Sequence, residues 1–158
     1  MSDIGAFALR SFLLMGFAVA LYYGVRQDME EQRVYDRIWW ISALFAVCLL
    51  ALTGREALRH MPEFALYALV QEGPMSRAYG KADCHAFSFC GLVLTGLGFG
   101  LEGYILHMSL ALISLTTVQL ADHNITRQGR LFLPVPFLPY IACSFWVSVI
   151  LLHLFFIR

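Results

Sequence analysis

The sequence predicts an all-α, polytopic membrane protein, a helical bundle of five transmembrane helices, and three observations predict it. Of 158 residues, 59% are hydrophobic, 15% aromatic and only 14% charged, against about a quarter charged in a soluble domain. The mean hydropathy is +0.68. The apolar residues fall in long runs divided by short polar stretches, too many runs for one soluble core.

The first run, 4–25, is long enough to cross about 30 Å of hydrocarbon. Arg10 lies near its start, where its stem can snorkel toward the headgroups. Asp3 precedes it, no basic cluster does, and no small-residue cleavage site follows, so it is expected to be a retained helix rather than a signal peptide. The polar stretch Arg26–Arg37 is flanked by Tyr22-Tyr23 and Trp39-Trp40, as expected of aromatic belts at a membrane–water boundary.

The second span covers 38–54. Helix is expected to persist through Arg55, Glu56, Arg59 and His60 until Pro62 stops it. Residues 63–71 are too short to span and suit an interfacial or re-entrant helix. Gly73-Pro74 marks a turn.

From Cys84 to Leu120 the only formal charge is Glu102. One helix of that length would far exceed the bilayer. Two short spans, 84–99 and 104–121, joined by the glycine-rich turn at Gly96, Gly98, Gly100 and Gly103, fit better. The alternative makes 91–107 one glycine-striped helix, gives four spans with a re-entrant or interfacial piece, and leaves Glu102 in lipid needing a partner. After the polar stretch from Asp122 to Arg130, Pro134, Pro136 and Pro139 lead into a last span, 140–157. Cys48–Gly54 resembles Cys90–Gly96 in pattern, without the fixed period that a repeat requires.

Eleven basic and eleven acidic residues cancel, so no net field recruits nucleic acid, and DNA or RNA binding is not expected. The expected partners are the bilayer, other membrane proteins and further copies of the chain. Cys48, Cys84, Cys90 and Cys143 form no CxxC pair and read as small core hydrophobes. With five spans, Arg55, Arg59, Arg77, Lys81, Arg127 and Arg130 share one face, and Arg26, Arg33, Arg37 and Arg158 the other. The positive-inside bias then places the N-terminus in the cytoplasm, in a bacterial inner membrane.

Ionisable groups at membrane depth are the candidate functional residues. His60, Asp83, His85, Asp122 and His123 would gather at one face. Imidazoles and carboxylates from three helix ends suit a transition metal, although interfacial polar caps account for the same residues. His107 and His153 lie near the opposite face, as two ligands to a b-type haem would, or as single histidines bonded between helices. Arg10 and Glu102 are the intramembrane charges; Glu102 among glycines also suits a broken helix near a transport site. Asn124-Ile125-Thr126 matches the glycosylation sequon. No nucleophile–base motif, phosphate loop or HExxH occurs. The leading expectation is therefore a non-catalytic subunit or accessory, immunity-type factor of a membrane assembly, with no cofactor. The alternatives are a metal- or haem-binding redox subunit, and a small transporter or holin-like pore.

Overall fold

A computed structural model describes residues 3–78, 80–125 and 136–156. Six α-helices follow one another: α1 Asp3–Glu31, α2 Asp36–Thr53, α3 Arg55–Glu72, α4 Lys81–Gly96, α5 Leu101–Ile125 and α6 Leu138–Phe156. A single 3-10 turn, Met75–Arg77, lies between α3 and α4. No strand occurs among the described residues.

The helices alternate in direction, and side-chain pairings fix which ends meet. The amide of Leu138, opening α6, donates to Asp28 near the end of α1 (3.3 Å). Trp39, early in α2, stacks on Phe89 and meets the edge of His85, both in α4. These contacts define a near face. At the other end, Thr53 closing α2 donates to the carbonyl of Gly96 closing α4, and Phe99 meets His153 of α6. These define a far face. Helices α1, α3 and α5 run toward the near face; α2, α4 and α6 run toward the far one.

Among the described residues, four helices are long and apolar enough to cross a membrane: α1, α2, α5 and α6. The five predicted spans are therefore not met, and the four-span alternative with an additional inserted piece is the better description. That piece is larger than expected. Helices α3 and α4 form a hairpin that enters from the far face, turns at the near face and returns. The physical reason lies at Gly54. Its φ of +63° ends α2, a conformation that glycine adopts without the steric cost of a Cβ. Pro62, expected as the stop, sits inside α3, where it forgoes one backbone bond. Residues 63–71 are thus the second half of an 18-residue helix.

The split between segments three and four is found where the glycines predict it. Residues 97–100 turn, with Gly98 at φ +87°, and there is no single helix over 91–107. Helix α1 outruns its expected end by a turn and a half. Arg26 and Glu30 pair at 2.8 Å across one turn, which supports helix beyond the lipid.

Helix α4 is the centre of the bundle. Its Cys84, Ala86, Phe87, Cys90, Val93 and Leu94 are buried, and it packs on α2, α3 and α6. The inner face of α6 repeats at helical spacing, through Leu138, Ile141, Phe145, Val149 and Leu152. The two similar segments Cys48–Gly54 and Cys90–Gly96 lie side by side and parallel, with Leu49 packed against Gly96.

Helix α3 turns a narrow stripe toward the bundle. Leu58, Leu66, Leu69 and Val70 are exposed, while Tyr67 and Gln71 are buried. Its charged residues Arg55, Glu56, Arg59 and Glu72, near its two ends, are exposed as well.

Candidate active site

The residues singled out in the sequence are divided between the two faces. His60 lies at the far face, its Nδ1 3.5 Å from Glu63 Oε2. Asp83 and His85 lie at the near face, in the first turns of α4. His85 Nδ1 is 2.9 Å from Glu72 Oε1, and α3 between His60 and Glu72 is roughly 18 Å of helix. His60 therefore does not join Asp83 and His85, because α3 runs through the bundle instead of along one face. The side chains of Asp122 and His123, and the sequon at Thr126, lie outside the described residues. Among the described residues no three His, Cys, Asp or Glu side chains gather as metal ligands would.

His107 is fully buried, with Nε2 3.0 Å from the carbonyl of Ile141 and its ring between Phe87 and Phe145. His153 is exposed and bonds the Val149 carbonyl of its own helix (2.8 Å). Along α6, Ile141 and His153 are roughly 18 Å apart. The two imidazoles are at different depths, which two axial ligands of one haem cannot be. Arg10 and Glu102 share the far face rather than lying on opposite ones. Glu102 accepts the Gly100 amide (3.1 Å) at the start of α5, and Arg10 is exposed on α1.

The inward stripe of α3 supplies polar groups that the sequence reading passed over. Glu63 accepts the Leu101 amide at 2.7 Å, capping α5 from a neighbouring helix. Tyr67 stacks on Tyr104 at 4.8 Å, and Tyr104 shares a 2.6 Å hydrogen bond with Thr95. Gln71 donates to the Met108 sulfur. At the near face Glu72 accepts from Ser88 as well as pairing with His85, both at 2.9 Å. These groups tie α3 to α4 and α5.

A different near-face cavity brings together two carboxylates. It holds about 360 Å³ and is lined by Asp28, Gln32, Gly80, Lys81, Ala82, Asp83, Pro136 and Phe137. Its walls come from three ends: the last turn of α1, the first turn of α4 and the entry to α6. Asp28 arrives by the inward stripe of α1, after Phe17, Leu21 and Gly24, all buried. Its Oδ2 accepts the Leu138 amide at the N-terminus of α6; burial raises its carboxyl above the usual range, against the smaller pull of this hydrogen bond. Asp83 arrives on the first turn of α4. Burial, and then the neighbouring Asp28 carboxylate, push its carboxyl up to about 6, against a smaller pull from a Gly80 backbone hydrogen bond. Two like charges in one site resist joint ionisation, so such a pair tends to share one proton.

The backbone at the cavity is also unusual. Gln32, the residue after α1, has φ +52°, the single positive φ of a non-glycine residue among those described. Residues without glycine's freedom seldom adopt this region, and such strain gathers at functional sites.

Asp83 was legible as a polar group near a helix start. Asp28 was not, because it sits in a run with Glu30, Glu31 and Asp36. The signal that separates it is the helical stripe Phe17–Leu21–Gly24–Asp28, which turns it inward while Glu30 and Glu31 face water. Comparison with known protein families, curated proteins and solved structures finds no match.

Proposed function

We propose that this chain is a membrane hydrolase of the paired-aspartate type, cutting a peptide bond presented at the near face. One observation carries the reading: Asp28 and Asp83 line one cavity at the near face of the bundle, and Asp83 holds its proton up to about pH 6. Paired carboxylates that share a proton are the working parts of aspartic peptidases. A cavity of this size lies in the range of small-molecule and short-segment sites.

The chemistry needs only these two groups and water. Asp28, which accepts the Leu138 amide through one oxygen, takes a proton from water. The oxygen of that water bonds to the peptide carbonyl carbon. Asp83 donates its proton toward the carbonyl oxygen as negative charge grows there. Collapse breaks the C–N bond: Asp83 takes back a proton from a hydroxyl of the tetrahedral intermediate as the carbonyl re-forms, and the leaving nitrogen takes the proton that Asp28 received. Both carboxylates return to their starting total of one proton. The substrate class that suits the location is a polypeptide anchored in the same membrane, its cleaved bond just outside the lipid.

The near face carries Arg26, Arg33, Arg37, Arg77 and Lys81, and the far face Arg10, Arg55 and Arg59, among the described residues. The alternation of helices thus separates Arg55 and Arg59 from Arg77 and Lys81, which the five-span sorting had joined. By the positive-inside rule the near face, with the cavity, is cytoplasmic in a bacterial inner membrane.

The test compares the free N-termini of membrane proteins from cells producing the wild type, Asp28→Asn or Asp83→Asn. New N-termini near a lipid boundary should appear with the wild type. Either substitution should lower their yield by about 10²–10⁴-fold, the usual worth of a general acid or base. Identical patterns from all three strains would return the chain to the non-catalytic accessory role.

A further inference from the structure

We propose that the outer cleft between α1 and α2 is a binding site for one anionic phospholipid. This does not depend on the hydrolase reading, since the cleft opens toward the surrounding lipid and is separate from the carboxylate cavity.

The cleft holds about 560 Å³. Phe12, Met15, Val19 and Ala20 of α1 and Ile41 and Phe45 of α2 make its apolar length. From Phe12 to Gln27 it follows α1 for roughly 22 Å, more than one leaflet's half of the hydrocarbon core. Its strongly polar lining is confined to the near-face end, at Gln27 and Arg37, with Tyr23 beside them. A site apolar along its length and polar at one end matches an amphiphile lying along the membrane normal.

The polar end selects a charge. No carboxylate lines the cleft. Arg26 is paired with Glu30, but Arg37 has no carboxylate partner among the described residues; its guanidinium lies 5.2 Å from the centre of the Tyr35 ring. Gln27 uses its oxygen to accept the Tyr35 amide (3.2 Å), which leaves its NH₂ to donate. Two sets of donors at the headgroup level, one cationic and planar, suit a phosphate.

A second transmembrane helix is a poorer occupant. Close helix approach uses small residues, and the one glycine lining the cleft, Gly16, is covered: a Cβ there would collide with the Phe45 ring. Bulky flexible side chains, Phe12 and Met15, form the rim instead, and both are exposed.

The test is native mass spectrometry of the full chain in mild detergent, with phosphatidylglycerol or phosphatidylcholine of identical acyl chains. Phosphatidylglycerol should be retained at least tenfold better by the wild type. Arg37→Gln should bring the two lipids to parity. Ala20→Phe, which fills the cleft, should release both, and Val19→Trp at the exposed rim should do the same if Ala20→Phe fails to fold. Glycerol phosphate, a headgroup without chains, should not compete at equal concentration. Equal retention of both lipids by the wild type would overturn the proposal. So would unchanged phosphatidylglycerol binding in the filled variants, displacement by glycerol phosphate, or a chain dimer that Ala20→Phe abolishes.

Discussion

At the scale of single residues, the proton on Asp83 makes two linked predictions. The carboxyl is raised from an ordinary 3.8 to about 6 by burial and by Asp28. The shared-proton form is therefore lost as pH rises through about 6, and kcat/KM should fall tenfold per unit above it. A profile flat from pH 5 to 8 would remove Asp83 as the acid. The stability sign runs with the proton. A carboxyl whose folded value is raised costs stability progressively between about 4 and 6, because the unfolded chain releases its proton first. Asp83→Asn escapes that cost. It should melt higher than the wild type at pH 7 and level with it at pH 4, as measured by thermal unfolding in detergent. Such a gain from removing a working group is a familiar stability–activity trade-off. Asp83 stood out in the sequence by its helix-start position, whereas Asp28 needed its buried stripe on α1 to be known. His60 does not join Asp83 and His85 because spacing along a chain says nothing about which face a helix end reaches.

Helices test different physics at their glycines. Gly54 has φ +63° and open space around it, so Gly54→Ala pays only for backbone conformation, about 1–3 kcal/mol. Gly91 has ordinary helical geometry, but a Cβ there would stand 2.8 Å from the Tyr67 ring. Gly91→Ala should therefore cost about 1–3 kcal/mol by overpacking, and Tyr67→Leu should recover part of it. Tyr67→Leu should recover nothing in Gly54→Ala, and equal rescue in both backgrounds would refute the distinction. Glu63→Ala should cost about 0.5–2 kcal/mol by uncapping α5, with Glu63→Gln retaining most of the stability. The glycine turn between α4 and α5 was readable from length alone. The extent of α3 was not, because proline is the stronger stop on average and the positive φ of Gly54 became visible only with α3 packed on α4.

For the whole molecule, the fold class and the lipid solvent followed from composition and run length, while the count of crossings did not. Alternating helices put residues 33 and 78 on one face and residue 98 on the other. Topology reporters inserted after those positions should agree for the first pair and disagree for the third. Reporters after 33 and 78 on opposite sides would restore an odd number of crossings between them and break the hairpin of α3 and α4. The described ends of the chain, Asp3 and Phe156, both lie at the far face, a bilayer's thickness from the carboxylate cavity. An affinity handle or fluorescent domain attached at either end should thus leave the cavity unobstructed. Two copies joined tail to head by a flexible linker should insert with both cavities open to the same compartment, with no extra crossing segment engineered between them.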